Sequence, residues 1–169
     1  MRRLLISMGS VVVAVAVLPS AVALSAGQPT RTLVGSGTST WPAGKVCAFP
    51  LMRDIFLNRE VATTFPADAN GDVRQIITGD ALARFTNLDT GKSVVVRVSG
   101  PSTVTYHADG SIHYESKGAT TYELFVTDTP PGPDEILNLG RLVIDVNTNG
   151  DYNVLSQTGN HVSICAALV

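Results

Sequence analysis

The sequence predicts an all-β fold, an antiparallel meander closed as a barrel, with a two-sheet β-sandwich as the alternative. Three observations carry this. Val, Ile, Thr, Tyr and Phe recur in short runs, and no stretch of ten residues shows a helical stripe of apolar positions. Four triplets end in glycine, Ala69-Asn70-Gly71, Asp89-Thr90-Gly91, Ala108-Asp109-Gly110 and Thr148-Asn149-Gly150. Each fits a three-residue hairpin loop, whose last position has positive φ, where only glycine is free of steric cost. Finally, the chain's two cysteines, Cys47 and Cys165, stand near the two ends of the strand-rich span.

Residues 1–26 read as an export signal. Arg2 and Arg3 give a positive start, Leu4 to Leu18 is almost wholly apolar, Pro19 and Ser20 break the run, and Ala21-Val22-Ala23 offers the small residues of a cleavage site. A retained amino-terminal anchor is the alternative, but no later stretch approaches the roughly 20 apolar residues that cross a bilayer. No cysteine follows the apolar run to take a lipid. The predicted location is therefore secreted, extracellular. Twelve Lys and Arg stand against fourteen Asp and Glu, and the signal removes two arginines. The mature chain is thus mildly acidic, which argues against nucleic acid and anionic membranes as partners, since both need clustered cations.

About 140 residues remain, enough for one domain with a core. Residues 27–44, rich in Thr, Ser, Gly and Pro, are expected to form a flexible lead-in from which only Trp41 docks, followed by a single domain over 45–169. In an oxidising compartment Cys47 and Cys165 are most simply one disulfide. Closing a loop of 118 residues removes unfolded-chain entropy of about 4–5 kcal/mol in the simple model. With tight hairpins throughout, the bond is expected to join the first and last strands and so close the barrel or tie the sandwich edges.

Side-chain parity tests the hairpins. A loop at 108–110 sets Tyr106 opposite Ile112 and Val104 opposite Tyr114; one at 148–150 sets Val146 opposite Tyr152 and Ile144 opposite Val154. Each gathers its apolar side chains on one face. A short turn at Lys117 to Ala119 would bring Tyr122 opposite Tyr114. For the hairpin across 81–100, a three-residue loop turns Arg84 inward. A four-residue loop, Asp89 to Lys92, pairs Phe85 with Val96, keeps Arg84 and Arg97 outside, and is preferred because an unpaired buried guanidinium is costly.

Candidate chemistry is sparse. His107 and His113 flank the Asp109-Gly110 turn on the polar face with no third ligand specified, and His161 stands at a turn before the last strand without a partner. No metal and no cofactor are implied. No GxSxG, SxxK, HExxH or phosphate-binding glycine loop is present. Asp134 and Glu135 read as the solvated start of a helical turn after Pro133, neighbours rather than the opposed carboxylates of sugar hydrolysis. The sharper clue is tyrosine: Tyr106, Tyr114, Tyr122 and Tyr152 all fall on the inward parity. A phenol in a dry core needs a hydroxyl partner, so these four reach a rim or line a polar-spotted cavity. The Pro-rich connection 129–139 is the natural lid for such a cavity.

Cys47-x-Phe49, the stretch TNLDTGKSVVVRVSGP at 86–101, the ADGS turn at 108–111 and the closing ICAAL at 164–168 together resemble a group of small secreted actinobacterial β-proteins of uncharacterised function. The resemblance implies export and an all-β fold. It implies no reaction, and no functional residue carries over from it.

Three functional classes follow. A non-catalytic secreted module binding a small apolar or amphipathic ligand predicts an interior void lined by the tyrosines. An extracellular adhesion, inhibitor or protein-interaction module predicts a filled core and an exposed apolar patch at Trp41, Phe49 and Phe56. An enzyme, the least supported, predicts perturbed titratable groups converging in the void.

Overall fold

A computed structural model describes residues 27–169, so the predicted export signal lies outside the described residues. The elements run β1 (Thr30–Leu33), β2 (Gly37–Trp41), β3 (Leu51–Asn58), β4 (Val61–Thr64), β5 (Val73–Thr78), β6 (Ala81–Asn87), β7 (Ser93–Arg97), β8 (Ser102–Tyr106), β9 (Ile112–Leu124), β10 (Asp134–Val146), β11 (Tyr152–Gln157), β12 (Asn160–Ser163) and a one-turn helix α1 (Ile164–Ala167). The fold is all-β and antiparallel as expected, but the meander and the closed barrel are not formed. One sheet of eight strands has the order β1-β4-β5-β8-β9-β10-β11 with β12 also on β10, and a second of four has the order β2-β3-β6-β7. The arrangement is sandwich-like.

The reason lies in the corners. Consecutive hairpins do not stay in one sheet, because the chain changes sheet at the β1–β2, β3–β4, β5–β6 and β7–β8 connections. These corners are packed backbone to backbone. At Gly79, φ +145, an added Cβ would lie 2.5 Å from the Arg59 carbonyl oxygen, and the Arg59 amide donates to the Asp80 carbonyl at 2.8 Å. Only glycine lets the two corners meet this closely.

The stretch 27–44, expected as a lead-in, supplies β1 paired with β4 and β2 paired with β3. Trp41 packs against the core of the small sheet. That core gathers Val46, Leu51, Phe85, Ile164 and Leu168, all essentially without solvent contact. Full burial of Leu51 and Phe85 contributes roughly 1.5–3 kcal/mol each. The disulfide joins Cys47 to Cys165 with a Cα separation of 5.4 Å. It ties the β2–β3 connection to α1 rather than the first strand to the last.

The hairpins at 108–110 and 148–150 have the expected registers, Tyr106 opposite Ile112 and Val146 opposite Tyr152. The loop at 69–71 also closes as a three-residue turn, the Asp68 amide donating to the Asp72 carbonyl at 2.9 Å. Across 81–100 the parity is as preferred, with Arg84 and Arg97 outside, but Phe85 faces Val94 instead of Val96. The loop is Leu88 to Gly91, one residue earlier than expected, because the Asn87 side chain accepts from the Asp89 amide at 3.0 Å and fixes the turn there.

The largest departure is β9. No turn forms at 117–119; the strand runs on through Leu124, and Tyr122 faces Ile136 rather than Tyr114. Gly118, φ +99, bends it, nested against Gly100. The Tyr114 hydroxyl reaches Thr120 Oγ1 at 3.1 Å. Six residues of straight strand span about 20 Å, so this bond requires a strong curl. The connection expected as a lid over 129–139 is shorter than predicted: β10 begins at Asp134 and pairs with β9 along all thirteen of its residues, which leaves 129–133 as the connection.

Candidate functional site

The curl of β9 with β10 and β11 forms a half-open cavity of about 250 Å3 lined by Ile112, Tyr114, Tyr122, Ile144, Val146 and Tyr152, with Thr121 and Glu123 as its more polar lining. A second hollow, about 210 Å3, lies between the sheets, where Arg53, Ile55 and Ala83 face Ile77, Ser102 and Thr120; Tyr114 and Thr121 line both. Tyr114, held by Thr120, is thus the partition. Of the four predicted tyrosines, three meet here. Tyr106 does not: it sits at the hairpin end, 41% exposed.

Glu123 belongs to a charge cluster that the sequence reading missed; its other members, Arg53 and Glu135, do not line the cavity. Glu123 and Glu135 are directly opposed across the β9–β10 ladder, and like charges so placed repel. One cation serves both. Arg53 Nη1 lies 3.2 Å from Glu123 Oε2 and 4.0 Å from Glu135 Oε1, and its guanidinium stacks 4.9 Å from the Trp41 ring centre. Arg53 and Glu123 keep 20% and 18% side-chain exposure, while Glu135 has none. Neither carboxyl oxygen of Glu135 makes a hydrogen bond of ordinary geometry, although the Thr121 hydroxyl lies close enough to act on it. Far from opening a solvated helical turn, Glu135 is an interior strand residue.

The electrostatics follow from this geometry. Burial pushes the Glu135 carboxyl up to about 8; Glu123 adds to the rise, Arg53 and the neighbouring Thr121 hydroxyl oppose it, and Asp134 adds a little. At neutral pH Glu135 is therefore mainly the uncharged acid. The Tyr152 phenol is pushed up to about 12, by burial first, then by Glu123 and Asp128, with Arg53 opposing and Glu135 adding. Burial also raises Tyr122 and, at the second hollow, Glu60. Asp128 is buried but satisfied, its carboxylate accepting from the Phe125 and Tyr152 amides. A neutral acid buried beside Glu123 and the Arg53 guanidinium has a proton to give and none to take.

Both hairpin histidines take carboxylate partners that the sequence left unspecified: His107 Nδ1 is 2.9 Å from Asp72 Oδ2 and His113 Nδ1 is 2.6 Å from Asp145 Oδ1. Asp72 raises His107. His161 lies within β12 opposite Asn138, not in a turn. No group of three or more metal-ligating side chains forms among the described residues. The predicted apolar patch does not assemble, since Phe49 is buried, Trp41 packs inward, and Phe56 lies under the Arg84 guanidinium.

A signal for the cluster was present. In LMRDIFLN, Arg53 shares parity with Leu51 and Ile55, and in DEILNLG, Glu135 shares parity with Leu137 and Leu139. A lone charge on an apolar face points to a buried partner elsewhere in the chain. No family model, curated protein or solved structure matches this chain.

Proposed function

We propose that this chain is an exported, non-catalytic β-module that binds a small amphipathic ligand in the tyrosine-lined cavity of the large sheet. The observation that supports it is the cavity itself: apolar walls from Ile112, Ile144 and Val146, three phenols, and a single charged lining residue, Glu123. Such an apolar pocket with few convergent polar groups is the usual form of a ligand site. At about 250 Å3 it lies below the ~300–1,000 Å3 of drug-sized sites, which restricts the ligand to a short chain or a single ring. Export is supported by the amino-terminal sequence and by the Cys47–Cys165 bond, which is consistent with an oxidising location. The likeness to secreted actinobacterial β-proteins belongs to the same reading.

Titration of the protein with 1-octanol tests it. Saturable amide shifts confined to residues around Tyr114, Tyr122, Ile144 and Tyr152 are expected, and Ile144→Trp, which fills the cavity, abolishes them. Shifts spread over the surface, or none, overturn the reading.

A further inference from the structure

The solvent-facing side of the β8–β9 hairpin carries an arrangement that the tyrosine-lined cavity does not use. Asp72, His107, His113 and Asp145 stand there in one row, and the register sets it. Val73 opposes Tyr106, which brings Asp72 beside His107; Thr105 opposes His113, and His113 opposes Asp145. The two histidines are therefore diagonal neighbours on one face of the hairpin, a placement that sets their positions within about 7–8 Å. Alternation along β9 turns His113 away from the face that carries Tyr114. Each imidazole is anchored at one edge, His107 Nδ1 lying 2.9 Å from Asp72 Oδ2 and His113 Nδ1 2.6 Å from Asp145 Oδ1. A carboxylate at Nδ1 holds the neutral ring as the Nδ1–H tautomer and leaves the Nε2 lone pair for another partner. The carboxylates flank the pair, one on the β5 side and one on the β10 side, so the edge of each ring that carries Nε2 is the one nearer the other histidine. Both rings line a single hollow of about 240 Å3, together with Ser111 and Asn147.

We infer that this hollow is a metal site in which His107 Nε2 and His113 Nε2 together hold one divalent transition-metal ion of the zinc or copper class, with water in the remaining positions. The row then reads carboxylate, imidazole, metal, imidazole, carboxylate, and a ligating histidine ordinarily donates its other ring N–H to a carboxylate in this way. Imidazole nitrogen suits zinc, copper and nickel, whereas calcium and magnesium prefer oxygen. Asp72 and Asp145 are positioning residues: they orient the rings and their charge offsets that of the ion. Asp72 is fully committed to this task, its other oxygen accepting from the Ala108 amide at 3.0 Å. Two protein nitrogens make an open site, which agrees with the absence of any three-ligand group among the described residues. The His107 and His113 side chains are 38% and 39% exposed, and ion pairs this exposed return little stability. Orienting two ring nitrogens into one hollow accounts for the duplicated pairing better than holding the hairpin does. The inference stands independently of the cavity reading above.

Zinc ion is the probe, titrated into the chelator-treated protein and followed by calorimetry and by long-range 1H–15N spectra of the imidazoles. One zinc per chain is expected, with the Nε2 resonances of His107 and His113 moving together and that of His161, on β12, unmoved. His107→Ala and His113→Ala are each expected to lower the affinity about tenfold or more. Asp72→Asn is expected to lower it about tenfold with both rings still responding, the loss typical of a carboxylate behind a ligating histidine. His161→Ala leaves the affinity unchanged, and an excess of calcium does not displace the zinc. Amide spectra of each variant confirm that the hairpin is intact. If either single-histidine variant keeps the wild-type affinity, zinc is held by one ring alone and the inference is overturned. Displacement by calcium, which would mark cations gathered by surface carboxylates, overturns it too, as does an affinity unmoved by Asp72→Asn or the absence of saturable binding.

Discussion

Two acid–base clusters in this protein use the same ingredients and reach opposite charge states. On the outer hairpin, Asp72 pairs with His107 and Asp145 with His113, each side chain between 22% and 43% exposed. In the interior, Arg53 faces Glu123 and Glu135, the last with no exposure. At the surface Asp72 lies below its usual range, first through the His107 hydrogen bond, and His107 lies above its own through the same bond. Within the fold, a full positive charge 4.0 Å from Glu135 fails to keep it ionised. Solvent access, not the identity of the neighbour, decides between the two outcomes, because the cost of desolvating an ion exceeds what one imperfectly placed partner returns.

The contrast can be broken most strongly at Glu135. Its carboxyl titrates near 8 in the folded protein and near 4.5 when unfolded, so the folded state binds the extra proton. Its effect is therefore most favourable below pH 4.5 and is lost as pH rises towards 8. Relative to Glu135→Gln, the wild type is expected to lose about 3–4 kcal/mol of stability between pH 5 and pH 8. Urea unfolding of both proteins across that range checks it, and parallel curves would remove Glu135 from the buried acids.

Arg53→Ala comes next. It leaves Glu123 facing Glu135 with no cation and bares the Trp41 face, and a cost of about 2–3 kcal/mol is expected, at or below the lower end for breaking a buried pair because both partners keep some solvent contact. Denaturant midpoints at pH 8 measure it, and the deficit is expected to shrink at pH 5, where Glu135 is neutral.

A smaller effect is expected at Gly118, whose φ of +99 a side chain tolerates poorly. Gly118→Ala should cost about 1–2 kcal/mol and loosen the curl that brings Tyr114 to Thr120. Loss of protection of the Tyr114 and Tyr122 amides against hydrogen exchange reports that loosening.

Least affected is stability on losing the surface pair. Asp72→Asn is expected to leave the denaturation midpoint at pH 7 unchanged within error, since exposed pairs are screened. It shifts only a titration. His107 is raised by Asp72, so its contribution is present below its unfolded value near 6.5 and fades as pH rises through the folded one, whereas that of Asp72 is lost as pH falls towards acid. In Asp72→Asn the His107 midpoint, followed by NMR, returns towards 6.5. A midpoint unmoved by the substitution would show the pair is not formed in solution.

How legible each region was follows the same division. The His107 hairpin is local: its loop, its register and the solvent-facing parity of both histidines were readable from Ala108-Asp109-Gly110, because the turn fixes which residues oppose one another within a few positions. Asp72 and Asp145 were not, being supplied by segments 35 and 32 residues away. The cavity was half legible. Parity placed Tyr114, Tyr122 and Tyr152 inward, but it also placed Tyr106 there, and the turn drawn at 117–119 hid the fact that Gly118 bends a continuous strand. Lys117-Gly118-Ala119 looks locally like a hairpin loop. Only Gly100, packed against it from the β7–β8 corner, distinguishes a bend from a reversal.

By itself, then, the chain determined its strand character, its tight hairpins, the face each side chain takes within them and the availability of one disulfide, since all of these depend on near neighbours or on counting. The tertiary structure decided that the strands divide between two sheets, that β9 curls, and that Arg53, Glu123 and Glu135 meet at one buried point. Those outcomes depend on close approach between segments 70–82 residues apart, and burial, which sets the charge of Glu135, does not exist until that approach is complete.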